Sequence, residues 1–188
     1  MSKGRMEAFT DAVIAIIMTI LVLELQPLTD LSFHGLWEIR TELLAYFFSF
    51  FILVVTWNNH HHMFQVVKSV STPVLWTNSI LLFWLSLFPF VTATVDANWE
   101  SRFAELMYVF IYLMYNISWV LLRVAVVRAN PSTREYIGRK DLLTTAWVIV
   151  VIGITWFIPE AGVIGCFIIT IIWILPYKNV EKLFNERK

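Results

Sequence analysis

Charge is scarce in this sequence. Asp, Glu, Lys and Arg make up 15% of its 188 residues, where soluble domains carry about a quarter. The 14 basic and 14 acidic side chains cancel. No basic excess exists to meet a phosphate backbone, so no nucleic-acid partner is implied. There is one cysteine, Cys166, which excludes an intrachain disulfide and a cysteine zinc cluster. With six glycines and six prolines, there is no low-complexity linker, and no internal repeat is visible. The chain also lacks a long polar stretch from which a soluble domain could be built.

What it has instead is apolar sequence in blocks. The hydrophobic fraction is 59% and the mean hydropathy is +0.70. Blocks fall at 8–25, 43–60, 74–94, 105–127, 142–158 and 161–177. A membrane-spanning helix needs ~20 mainly apolar residues, so the chain reads as an all-α membrane protein with six transmembrane helices. Residues 1–188 form a single domain on this reading. Pro27, Pro73, Pro131 and the Pro159–Gly162 pair punctuate the blocks. The short link between blocks five and six predicts a tight helical hairpin, and Pro89 predicts a kink in block three. The N-terminal Lys3, Arg5 and apolar run superficially resemble a signal peptide. Asp11 sits where the apolar region should begin, and no small-residue cleavage site follows. A retained first span is expected.

Lys and Arg cluster in alternate segments: Lys3 and Arg5; Lys68; Arg123, Arg128, Arg134, Arg139 and Lys140; Lys178, Lys182, Arg187 and Lys188. The other segments hold Arg40 and Arg102 among Asp30, Glu38, Glu42, Asp96, Glu100 and Glu160. The positive-inside rule then places both termini in the cytoplasm, as an even number of spans requires. Trp37, Trp76, Trp99 and Trp147 fall near predicted helix ends, as an interfacial belt would.

Polar groups within a span are costly and therefore functional candidates. The first helix opens on Arg5, Phe9, Thr10 and Asp11. Arg5 and Asp11 are six residues apart and cannot pair along one helix face, so each needs a partner elsewhere or a watery vestibule. Asp11 could also simply favour the positive end of the helix dipole. Farther along, Ile16, Thr19 and Leu23 share a face, bordered by Ile20. Thr19 could do no more than bond its own backbone. Alternatively, such residues ringed about a symmetry axis would make a dry constriction lined with hydroxyls.

The second block ends Trp57-Asn58-Asn59-His60-His61-His62-Met63-Phe64. Consecutive histidines point in different directions on a helix, whereas helical zinc pairs use i, i+4 spacing. No metal site or cofactor is expected. Trp57, His60, His61 and Phe64 share a face at the depth of Arg5 and Asp11, so a hydrogen-bonded cluster between the two helices is expected.

Arg5-xxx-Phe9-Thr10-Asp11 before an apolar span, with Trp57-xx-His60-xxx-Phe64 closing the second, resembles the prokaryotic branch of the endosomal and lysosomal potassium-channel family (transmembrane protein 175 family). The resemblance implies a homotetrameric, potassium-permeable channel of the cell membrane, its central pore lined by the first helix. Ile16 would form the hydrophobic constriction, with Leu23 a further ring and Ile20 beside them. Thr19 would form the selectivity layer. Arg5, Phe9, Thr10 and Asp11 would join a hydrogen-bonding and packing network with Trp57 and His60. Thr10 replaces the family's serine but keeps the hydroxyl. Potassium would be the permeant ion and the bilayer the other partner.

No Thr-Val-Gly-Tyr-Gly filter occurs in the chain, so a pore of Ile, Thr and Leu offers few oxygens, and modest selectivity is the physical expectation. Glu24, Glu38 or Glu42 could enrich cations at an outer mouth or form an ordinary solvated rim. A secondary transporter is the alternative, but it calls for mid-membrane ionisable groups or broken helices. A membrane enzyme using Asp11 and His60 would lack a nucleophile or metal set.

Overall fold

The structure, a computed structural model, describes residues 2–136 and 139–174. Lys178, Lys182, Arg187 and Lys188, and the end of the sixth apolar block, lie outside the described residues. Among those described, every regular element is helical. The order is α1 (Lys3–Leu23), α2 (Phe33–Glu38), α3 (Arg40–Val66), α4 (Thr72–Ser86), α5 (Phe88–Asp96), α6 (Arg102–Ala129), a 3-10 turn (Pro131–Tyr136), α7 (Arg139–Thr155) and α8 (Ala161–Ile171).

Four segments are long and apolar enough to cross a membrane: α1, α3, α4 continued by α5, and α6. At 1.5 Å per residue, the 17 residues of α7 and the 11 of α8 reach ~26 and ~17 Å, against a hydrocarbon core of ~30 Å. Bare aromatic surface is plentiful, with Phe33, Phe103 and Phe157 at least three-quarters exposed. Soluble monomers rarely show such surface, and a bilayer covers it.

The α4–α5 break follows from Pro89, the second residue of α5, which has no N–H for the ladder. Leu87 carries the join, its N–H reaching back only to Trp84 O at 3.3 Å. The α7–α8 hairpin closes through Trp156–Glu160. Val151 lies so near Gly165 that a Cβ there would sit 2.6 Å from it, and Trp147 Nε1 donates to Gly165 O at 2.9 Å. Glycine at 165 is therefore what lets the two helices approach.

Helix α6 packs against α4, α5, α7 and α8, while α1 lies on α3, α4 and α5. Buried polar pairs join the helices, as is common where lipid supplies no hydrophobic driving force. Ser49 shares a hydrogen with Tyr108 at 2.8 Å and accepts from Thr92 at 2.7 Å. Thr56 pairs with Tyr115, and Tyr112 with Thr170. Glu105 is fully buried, and its Oε2 accepts from Val163 N at 2.9 Å in the first turn of α8. Arg123 and Asp141 form a buried ion pair, 2.7 Å apart, that ties α6 to α7. Helix α2 had no counterpart among the six blocks. Ser32 caps it by accepting from the backbone of His34 and Gly35.

Candidate functional site

Helix α1 is apolar almost all round, so its rotation is set by which side chains fit its neighbours. Met6, Thr10, Ile14, Ile17 and Leu21 are buried, each 3% exposed or less. Their 4-4-3-4 spacing keeps them on one face. Ile16, Ile20 and Leu23 lie about a third of a turn away and are 56%, 38% and 77% exposed. Thr19 is exposed beside them. In the apolar window of each span, α1 is the least covered, 28% buried against 56% for α6. The single chain thus leaves much of the 16–19–23 stripe exposed.

Thr19 Oγ1 donates to Ile16 O at 2.7 Å. Its proton is committed to the backbone carbonyl three residues back. A hydroxyl oxygen keeps two acceptor lone pairs, so this bond aims oxygen rather than hydrogen away from the helix. That is the polarity a cation requires.

At the N-terminal end of α1 the polar residues divide into two arrangements. Asp11 Oδ1 accepts from Trp57 Nε1 at 2.9 Å on the exposed side of the α1–α3 contact. One turn of α3 inward, Thr10, Asn78 and His60 form a buried chain. Asn78 Nδ2 donates to Thr10 Oγ1 at 2.8 Å, and Asn78 Oδ1 lies 3.0 Å from His60 Nε2. With its NH2 turned to Thr10, the amide presents its oxygen to the ring, so His60 is the Nε2–H tautomer. The three side chains are 2% exposed or less. Three helices, α1, α3 and α4, are therefore clamped by one asparagine.

The expected single face of Trp57, His60, His61 and Phe64 separates into two. His60 stacks on Phe64 in the interior, ring centroids 4.5 Å apart. Trp57 stacks on His61 at 6.0 Å outside, and His61 meets Gln65 at 2.8 Å. Four residues on a helix turn through 400°, enough to place each pair on its own stripe. His60 reaches Thr10 only through Asn78. Phe9 is 56% exposed. Arg5 is exposed and, among the described residues, makes no side-chain hydrogen bond or ion pair, so it stands apart from the clamp. Asn78 was missing from the expected set. It is the one amide in a mainly apolar helix, and a polar group in a span is a signal in its own right. Among the described residues no group of three or more His, Cys, Asp or Glu could hold a metal ion.

Apolar spans, bare outward faces and buried interhelical polar clamps define a polytopic α-helical membrane protein. The sequence profile of the endosomal/lysosomal potassium channel TMEM175 family matches residues 5–89, the stretch that holds both motifs and Asn78. A potassium channel of Chryseobacterium sp. (strain P1-3) is 36% identical over 191 residues, which covers 99% of this chain and 100% of that one. The crystal structure of a lysosomal potassium-selective channel TMEM175 homologue from Chamaesiphon minutus superposes with a TM-score of 0.79 at 26% identity, covering 91% of this chain and 95% of that chain. The chain belongs to the TMEM175 family of potassium channels. These relatives are channels rather than enzymes, and the enzyme reading is set aside.

Proposed function

We propose that this protein is a potassium-selective channel of the cell membrane, built from four copies around a pore lined by α1. Ile16, Ile20 and Leu23 form the hydrophobic constriction, and Thr19 forms the selectivity layer. The observation that carries this reading is the orientation of α1. Its 16–19–23 stripe is bare in the single chain while the opposite face is packed. Four such stripes facing an axis give rings of branched apolar side chains that dewet when narrow. Thr19 places four oxygens between them. Selectivity from so few oxygens is modest.

Six spans per chain complete the assembly, with α7 as the fifth, the sixth apolar block (161–177), which α8 begins, as the sixth, and both termini in the cytoplasm. The distribution of Lys and Arg supports this orientation. The Thr10–Asn78–His60 and Asp11–Trp57 contacts hold the inner end of the pore helix at a fixed rotation. Glu24 follows the outer end of α1 and adds negative charge near the mouth.

Purified protein reconstituted in planar bilayers tests the reading. Unitary currents should reverse near the potassium potential under a potassium/sodium gradient, from particles of tetramer mass. Strictly coupled flux without unitary current, or a monomer, would overturn it in favour of the transporter.

A further inference from the structure

We propose that Glu105 is a proton-binding site. Its buried carboxyl keeps a proton at neutral pH and pins the first turn of α8 against α6, and loss of that proton parts the two helices. Glu105 is the one fully buried glutamate among the described residues, 0% exposed within the single chain. Its cover comes from this chain's own helices, so neither a neighbouring copy nor a lipid is needed to bury it. Oε2 accepts from Val163 N at 2.9 Å, while Oε1 has no partner among the described residues. No Lys, Arg or His among the described residues forms an ion pair with it. The seat is close. A methyl on Gly162 would strike Oε2 and come within 3.2 Å of Val109 Cγ2, so glycine there lets the backbone of α8 meet the carboxyl.

A buried polar atom without a partner demands a reason. The ionised carboxyl would put a net charge into a dry contact with one hydrogen bond. The neutral carboxyl leaves a single O–H short of an acceptor. Burying an unpaired charge costs far more than burying an unpaired hydroxyl, so the neutral form wins. Helix starts carry partial positive charge, but α8 already has Glu160 as its N-cap residue. That carboxylate opposes a second negative charge at Glu105. The other titratable groups facing Glu105 are Tyr108 and Cys166, both buried and neither a cation. Ionisation therefore requires water at Oε1, and water enters when the first turn of α8 leaves α6. The site lies in the α6–α8 contact, away from α1, and rests on neither the pore reading nor the orientation.

Equilibrium unfolding in mixed micelles, from about pH 5 to about pH 8, tests the bound proton. An unfolded glutamate loses its proton at about pH 4.3. A folded state that keeps it holds one proton more than the unfolded chain, so stability falls as pH rises. The wild-type folding equilibrium should drop about tenfold per pH unit relative to Glu105→Gln, levelling once the folded carboxyl ionises. A ratio of the two that does not change with pH overturns the proposal. A second measurement needs no variant. Infrared spectra of wild-type protein, its glutamates isotopically labelled at the side-chain carboxyl, should show the carbonyl band of a protonated glutamic acid at neutral pH. Absence of that band overturns the proposal. Cys166, the one cysteine in the chain and 0% exposed on α8, reports the parting of the helices. At alkaline pH a water-soluble thiol reagent should label wild type faster than Glu105→Gln, and at mildly acid pH the two should label alike. The charge of ionised Glu105 alone would slow wild type by disfavouring the thiolate, so faster labelling reads opening. Wild type labelled no faster than Glu105→Gln at alkaline pH overturns it.

Discussion

Replacing Asn78 with leucine removes the clamp while nearly preserving volume. Two bonds go at once, the 2.8 Å donation to Thr10 and the 3.0 Å contact with His60. In a soluble core each orphaned partner would cost about 1–3 kcal/mol. Between membrane helices the measured coupling is smaller, averaging about 0.6 and reaching about 1.7 kcal/mol, because the separated helices find other partners. All three side chains are 2% exposed or less, so water cannot replace the lost bonds without rearrangement. Two bonds on the membrane scale give a cost of about 1–3 kcal/mol. Equilibrium unfolding in mixed micelles would read this directly, with Thr10→Val as the second arm of a double-mutant cycle. Asn98→Leu is the control, since exposed Asn98 donates only to Thr94 O in its own segment. Its cost should stay below about 0.5 kcal/mol. If Asn78→Leu costs no more than Asn98→Leu, or if Asn78→Leu and Thr10→Val are additive, the three-helix clamp is wrong.

Three further outcomes follow from the packing around α7. Gly165→Ala drives a methyl into Val151 and should cost about 1–3 kcal/mol by overpacking, measured in the same micelle unfolding. Gly153→Ala meets nothing within 4 Å and should gain about 0.5–1 kcal/mol from helix propensity. Asp141→Asn removes the charge from the carboxylate that meets Arg123 at 2.7 Å between α6 and α7. A lower melting midpoint is expected; a midpoint equal to wild type would contradict the role of this pair in tying the two helices.

Much of the fold is legible because lipid imposes a simple rule: backbone must satisfy itself in helices, and helices must be long and apolar. Pro89 announces its kink by chemistry alone. The 16–19–23 stripe is legible from 3.6-residue periodicity, and the Asp11–Trp57 contact from shared depth. What escapes is rotation. A span that is apolar all round carries little information about which side packs inward, so nothing in α4 alone pointed Asn78 toward Thr10 and His60. For the same reason the histidine run read as one face, whereas its neighbours divide it into an inner His60–Phe64 stripe and an outer Trp57–His61 stripe. Glu105 carries no local signal of its contact, because its partner, the first turn of α8, lies 58 positions away. Helix α2, six residues long, is too short for periodicity to reveal.

The central claim is that the bare stripe of α1 is the pore wall. Single-channel conductance of Ile16→Asn tests it most directly. A polar amide at the constriction should wet it, raising conductance and changing potassium over sodium selectivity, while the packed face of α1 is untouched. Conductance and selectivity indistinguishable from wild type, in channels of unchanged assembly, would show that the stripe faces lipid or protein and that the pore lies elsewhere.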